Sequence, residues 1–215
     1  MKIIVGIATF DEREPYCTRA IESIEKGTIK PDEISIYHNG LEEVDLTDNG
    51  KFYGLQFYDE PVYFFSIDDD IIYPEWYIEK TIEMIEKTNS IVTYHGRKLL
   101  GKDRNYYKGH QGYRVLGNVD YFGEIDVAGT GCTAFRTDYF NPTEIYKSEH
   151  KRMSDVIFSL EAAKQGKRIC MIPHKERDFL DLHAPAESSC HGVESRKGAK
   201  TQILLCNQIL EVKNV

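Results

Sequence analysis

The segment Phe64-Phe65-Ser66-Ile67 follows Pro61 and Val62 and runs directly into Asp68-Asp69-Asp70. A short apolar run of this kind reads as a strand buried on both faces, whose last residues emerge at the end of a sheet. Three consecutive carboxylates repel one another and are not favoured by strand propensity, so a cation or a polyhydroxyl ligand is their natural compensation. The plain alternative is a turn: Asp is a common turn former and helix cap, and Pro74-Glu75-Trp76 opens a helix just downstream. A turn accounts for one Asp more easily than for three.

The rest of the chain supplies the helices that such a strand needs. Lys2 to Ala8 is a β-branched apolar run, Pro15 to Lys26 carries Ala20, Ile21 and Ile24 at helical spacing, and Glu33 to Tyr37 is a second short strand. After the strand Val62 to Ile67, the spacing predicts a helix over Pro74 to Lys87 and a strand over Ser90 to Tyr94. Asp126 to Phe135 reads as a small-residue strand region, Met153 to Lys164 as an amphipathic helix closed by Gly166, and Lys167 to Ile172 as a further strand. A last helix falls near Thr201 to Glu211. Alternation of this kind implies an α/β sheet with parallel pairs, in which ligands bind beyond the carboxyl ends of the strands. Arg97 to Glu124 and Ala184 to Lys200 lack a sustained period and read as mobile loops.

At 215 residues the chain suits one domain spanning 1–215 with a sizeable core. The formal charge of -8 argues against a general nucleic-acid binder. No stretch approaches a membrane span, and Met1-Lys2-Ile3-Ile4-Val5 enters a strand without a signal-peptide pattern, so a soluble, cytoplasmic protein is expected. Cys17, Cys132, Cys170, Cys190 and Cys206 are widely spaced with no CxxC pair, which fits reduced thiols rather than a disulfide frame or a zinc site.

An ordered set of motifs carries a resemblance. Val5-Gly6-Ile7-Ala8-Thr9-Phe10 with Arg13, the strand ending His38-Asn39-Gly40, Asp68-Asp69-Asp70, Gly129-Thr130-Gly131-Cys132-Thr133-Ala134-Phe135-Arg136 and Ser154-Asp155 opening a helix resemble family 2 glycosyltransferases of the GT-A fold. The likeness covers roughly residues 3 to 172 in the family's order, and the length is similar to that of the small GT-A domains of large algal viruses. A GT-A fold is a Rossmann-like α/β fold with a central mixed, mainly parallel sheet flanked by helices.

The resemblance implies a metal-dependent, inverting transfer of one sugar from a nucleotide-diphosphate sugar, a UDP-sugar by preference, to a hydroxyl of a glycan or other acceptor. It places Thr9, Phe10, Glu12 and Arg13 at the donor nucleotide, with Arg13 able to stack on or hydrogen-bond the base. Asn39 stands where the family carries a base-reading Asp. The triple Asp matches the family's DxD, which assigns Asp70, with Asp68, to Mn²⁺ or Mg²⁺, and Asp68 or Asp69 to the ribose hydroxyls. His183 is the candidate for a late metal ligand, ahead of His174 and His191. Asp155 takes the place of the general base, where a helix amino terminus favours a negative side chain. Ser154 replaces the family's usual Glu, and the Arg/Gln-rich motif of processive members is not evident.

Other readings stay open beside these. Trp76 could stack on an acceptor sugar or pack in the core, and Gly129, Thr130 and Gly131 could floor a sugar pocket or form a tight bend. Arg97, Lys98, Lys102, Arg104, Lys108 and Arg114, interleaved with Tyr106, Tyr107 and Tyr113, could form a basic lid over a diphosphate. A sugar-phosphate nucleotidyltransferase would share the sheet and the carboxylates, but the loop Thr9-Phe10-Asp11-Glu12-Arg13 has no glycine and a net acidic content. A non-catalytic sugar-nucleotide or glycan-binding domain is the third reading.

Overall fold

The computed structural model describes residues 1–101, 110–185 and 200–213. In chain order the strands are β1 (Lys2–Phe10), β2 (Glu33–Asn39), β3 (Val62–Ile67), β4 (Ile71–Ile72), β5 (Ile91–Thr93), β6 (Gly96–Leu99), β7 (His110–Tyr113), β8 (Gly123–Ile125), β9 (Val127–Ala128), β10 (Cys132–Arg136), β11 (Ile169–Met171) and β12 (Leu180–Asp181). The helices are α1 (Glu14–Glu25), α2 (Tyr77–Thr88), α3 (Ser154–Lys164) and α4 (Lys200–Lys213). A 3-10 segment, Thr47–Phe57, lies between β2 and β3.

Among the described residues seven strands form the central sheet in the order β2-β1-β3-β10-β5-β11-β8. β1 pairs in parallel with β2 and β3, and β5 with β11, while β10 runs antiparallel between β3 and β5 and β8 runs antiparallel to β11. The strand period of two sorts the apolar side chains onto two faces. Val5, Ile7, Phe65 and Ile67 pack with Ala20 and Ile24 of α1 and Ile78 and Ile85 of α2. Ile4 and Phe64 pack on the other face with Phe52 of the 3-10 segment and Phe158 of α3. Both faces of β3 are therefore covered, as its continuous apolar run requires.

Antiparallel β10 positions the site. Its partner register sets Cys132 opposite Ile67, so the turn Gly129–Gly131 that feeds β10 arrives beside the carboxyl end of β3. Asp68 N donates to Gly131 O at 3.2 Å and closes that junction. Gly6 has a matching role below: a Cβ there would come 2.1 Å from Lys51 O, so only glycine lets the 3-10 segment lie against β1.

Two sequence expectations are corrected here. The expected loop 97–124 contains β6, β7 and β8, with β6 paired antiparallel to β7 and β9. Its strands are short and carry charged or glycine residues on a solvated face, which removes the period-two signal. The strand region 126–135 is two strands broken at Gly129–Gly131, because that segment turns to face β3. Residues 102–109 and 186–199, which include most of the expected basic lid, His191 and Cys190, lie outside the described residues. Cys17, Cys132, Cys170 and Cys206 are buried free thiols. No helix among the described residues is long and apolar enough to cross a membrane.

Candidate active site

The carboxylates at the end of β3 are met by two buried cations. Arg13, in the turn after β1, donates from Nε to Asp69 Oδ2 at 3.0 Å and from Nη2 to Asp69 Oδ1 at 2.5 Å, and its Nη2 lies 2.7 Å from Asp70 Oδ2. Thr9 Oγ1 donates to Asp69 Oδ2 at 2.9 Å. Lys51 reaches up from the 3-10 segment and pairs its Nζ with Asp68 Oδ1. Burial alone would push the Lys51 ammonium down, but the charge and hydrogen bond of Asp68, with Asp48 and Asp155 adding, hold it above the ordinary lysine value.

The two outer carboxylates respond in opposite directions. Burial raises both, but at Asp68 the charge and hydrogen bond of Lys51, with Arg13 adding, outweigh it and hold the carboxyl below its usual value. At Asp70 burial, then the neighbouring Asp68 and Asp69, outweigh Arg13 and raise it. Asp70 is thus short of positive charge even with Arg13 in place.

Asp155 opens α3 on the far side of the Gly129–Gly131 turn. Its Oδ1 accepts from Thr130 N at 2.8 Å and Thr130 Oγ1 at 2.9 Å, and Arg97 Nη1 lies 3.9 Å from its Oδ2. Thr130 Oγ1 also meets Ser154 Oγ at 2.8 Å, so Ser154 helps hold the turn to the helix. The glycines on either side have steric causes. A Cβ on Gly131 would sit 1.9 Å from Asp68 Oδ2, and one on Gly129 would sit 2.5 Å from His95 Cδ2. The turn therefore packs Asp68 on one side and His95 on the other, with Thr130 pointing to Asp155 between them.

Sequence reasoning missed Lys51, His95 and Asp48. His95 is neutral: burial draws its pKa down to about 4 against the pull of Asp155 and Asp68. Val115 N donates to its Nδ1 at 3.3 Å, which places the ring proton on Nε2. The only signal for Lys51 was a lone lysine inside Gly50-Lys51-Phe52-Tyr53-Gly54-Leu55, a run otherwise apolar or small.

Three candidates are placed elsewhere. Asn39 donates to Thr9 O at 3.3 Å and Thr47 O at 3.0 Å and accepts from Leu46 N and Thr47 N, both at 2.9 Å. An amide has two donors and two acceptor positions, so these four bonds leave none for a base edge. Trp76 packs between Tyr94 and Phe179, each ring 6.0 Å away, with Lys80 Nζ 4.5 Å over its face. Those contacts leave it partly buried against the edge of the core. His183 follows Leu182, whose N–H donates to Asp70 O at 2.8 Å, but its side chain is 87% exposed beside Asp181. Among the described residues no group of three or more His, Cys, Asp or Glu is arranged to hold a metal ion. His174 is buried, with Nδ1 against Ile172 O and Nε2 against Arg114 O. Phe10 ends β1 half-buried, and Glu12 is exposed on the turn beyond it.

Neither a protein-family model nor a curated protein matches the chain in sequence. Solved structures match it in fold. The crystal structure of Staphylococcus aureus TarS superposes with a TM-score of 0.52 over 99% of this chain and 43% of that one, at 14% identity. The chain has the GT-A fold. TarS 1-349 in complex with UDP-GlcNAc gives a TM-score of 0.50 over 99% of this chain and 71% of that one, at 15% identity. The chain spans less than half of the longer TarS chain. The end of β3, the Gly129–Gly131 turn and the start of α3 meet at the carboxyl edge of the parallel strands, where open α/β sheets bind ligands.

Proposed function

We propose that the protein is a glycosyltransferase that moves one sugar from a UDP-sugar to an acceptor hydroxyl, with inversion at the anomeric carbon and with the help of a divalent cation. The observation that carries this reading is the placement of Asp68, Asp69 and Asp70 across the Gly129–Gly131 turn from Asp155, in a chain of GT-A fold. The UDP-GlcNAc complex of the structurally similar TarS supports the choice of donor class.

The donor set suits a hard cation. Asp68 and Asp70 offer carboxylate oxygens, Asp70 is short of positive charge, and one or two carboxylates completed by substrate phosphates are the usual arrangement for Mg²⁺. Asp70 and Asp68 would hold Mn²⁺ or Mg²⁺, which supplies positive charge to the departing nucleoside diphosphate. Arg13 and Thr9 fix Asp69 for the ribose hydroxyls, and Lys51 holds Asp68 in place from beneath. Asp155 takes the proton of the acceptor hydroxyl while the acceptor oxygen bonds to the anomeric carbon and the diphosphate leaves with the bonding pair. Thr130, by two hydrogen bonds to Oδ1, fixes the plane of that carboxylate. The acceptor is a glycan or another hydroxyl compound.

A thermal-shift panel of nucleoside diphosphates and their sugars, each with Mn²⁺ and with EDTA, tests the donor and the metal together. A metal-dependent shift with UDP and a UDP-sugar, lost in Asp70→Ala, is the expected result. Asp155→Asn should abolish transfer while leaving the UDP shift intact. A shift with nucleoside triphosphates only, with pyrophosphate released from a triphosphate and a sugar phosphate, would replace this reading by nucleotidyl transfer. Binding without turnover across a broad acceptor panel would leave a binding domain.

A further inference from the structure

The entry into α3 is held by a side chain from a distant part of the chain. Arg152 N donates to Asp48 Oδ1 and Ser154 N to Asp48 Oδ2, both at 2.9 Å. Thr47 Oγ1 donates to Asp48 Oδ1 at 3.0 Å, and Arg152 N also reaches Thr47 Oγ1 at 3.3 Å. The helix has no cap of its own: Met153 stands at the capping position and makes no side-chain bond to the first turn. Thr47 at φ 53° and Arg152 at φ 61° both adopt the left-handed region, which side-chain-bearing residues enter only when their surroundings impose it. Here the imposed contact is the Asp48 carboxylate, which spans two amides two residues apart.

The other end of this strap starts at the donor side of the site. Asn39 clamps Thr9 O to the backbone of Leu46 and Thr47, and Thr9 Oγ1 holds Asp69. A continuous path of hydrogen bonds therefore runs from Asp69 through Thr9, Asn39, Thr47 and Asp48 to the amide of Ser154, next to Asp155. Thr130 reaches the same helix turn from the opposite side. Two clamps from separate parts of the chain thus converge on the residue that carries the base.

We propose that Asp48 is a positioning residue for Asp155, fixing the first turn of α3 at a set distance from the donor-binding end of the sheet. The proposal rests on the reading of Asp155 as the general base. Its physical content is that a displacement of about 1 Å at a reacting group can cost on the order of 100-fold in rate without weakening the binding of a substrate held elsewhere.

The test compares wild type, Asp48→Asn, Asp48→Ala and Asp155→Asn. Three quantities are measured: amide hydrogen exchange at Arg152 and Ser154, the dissociation constant for UDP with Mn²⁺, and turnover of the UDP-sugar that wild type uses best. Asp48→Asn is isosteric, keeps one acceptor and turns an NH₂ group toward the second amide, so it carries the test if Asp48→Ala does not fold. The expected result is loss of protection at both amides in Asp48→Ala and at one of them in Asp48→Asn, with a turnover number lower by about 10- to 100-fold and UDP affinity within about threefold of wild type. Unchanged turnover, a fall in turnover with both amides still protected, or a loss of UDP affinity in proportion to turnover would each overturn the proposal. Failure of the functional reading looks different: wild type turns over no UDP-sugar, or Asp155→Asn is as active as wild type.

Discussion

The Lys51 ammonium is buried against Asp68 Oδ1, on a segment that reaches the end of β3 only because Gly6 leaves room for the Lys51 backbone. The pair is asymmetric. The Lys51 side chain is 4% exposed, whereas that of Asp68 is 42% exposed at the mouth of the site. Replacing Lys51 by Met removes the charge at similar volume and leaves Asp68 to water. Breaking a fully buried pair costs about 3–5 kcal/mol, and the solvation of Asp68 should reduce that to about 2 kcal/mol. UDP binding should suffer more than stability, because an unpaired Asp68 turns outward. Chemical denaturation together with a UDP titration of Lys51→Met checks this. A variant that binds UDP as wild type does would show that Lys51 serves stability alone.

Arg13 and Asp69 form a two-point contact, and the same guanidinium spans to Asp70. Lysine at this position keeps the charge but offers one compact donor group in place of a rigid fork. Arg13→Lys should lose about 1–3 kcal/mol of stability, the range for breaking a charged, buried hydrogen bond. Its donor affinity should fall as well, since Asp69 loses the two-point guanidinium contact and keeps Thr9 with a single ionic donor. The measurements are a denaturation midpoint and a UDP isotherm. Wild-type values for both would show that one ionic contact suffices.

Gly131→Ala is a substitution in which fold and site should separate. The added Cβ would overlap Asp68 Oδ2 and Cγ, at 1.9 Å and 2.3 Å, and both atoms belong to a short side chain that can swing away. The backbone is not forced to move, so the thermal midpoint should stay within a few degrees. Asp68 would leave Lys51, and turnover should fall by about 100-fold through misplacement of the site. A stable, fully active Gly131→Ala protein would remove Asp68 from the mechanism.

The elements legible in the sequence are those whose signal is local. The strand Val62–Ile67 appears at its expected bounds because an unbroken apolar run has no other use here, and the first helix lies within a residue of its expected span. The second begins at Tyr77 rather than Pro74, since Pro74 to Trp76 form a turn that precedes it. β6 and β7 escaped notice because a solvated ribbon of Gly, Arg, Lys, His and Gln carries no apolar alternation. In the candidate site, the sequence places the triple Asp after a strand and Asp155 at a helix start, which is where they lie in the fold. Their partners were not legible. Lys51 lies 17 residues from Asp68 and Asp48 lies 106 from Ser154, and only the folded path of the chain brings each pair together. Asn39 shows the reverse error: its type suits a base edge, yet the loop it closes has already used all four of its hydrogen-bonding positions.

His95 makes stability depend on pH in a defined direction. Its pKa is drawn down to about 4 by burial, while in the unfolded chain an imidazole titrates near the ordinary 6.5. Between those values the unfolded state takes up a proton that the folded state refuses. The stabilising contribution is therefore complete above about pH 6.5 and is lost as pH falls toward 4. A shift of this size corresponds to at most about 3 kcal/mol, and partial contact of the ring with water lowers the expectation to about 2 kcal/mol. In His95→Asn the amide oxygen can accept from Val115 N in place of Nδ1, and no group titrates. The drop in thermal midpoint from pH 7.5 to pH 4.5 should then be smaller in the variant than in wild type by about 4–8 °C for a chain of this size. Parallel midpoint curves for the two proteins would mean that His95 is protonated as readily in the fold as in the unfolded chain. The ring packed against Gly129 would then be a cation facing Asp155 and Asp68 rather than a neutral donor between them.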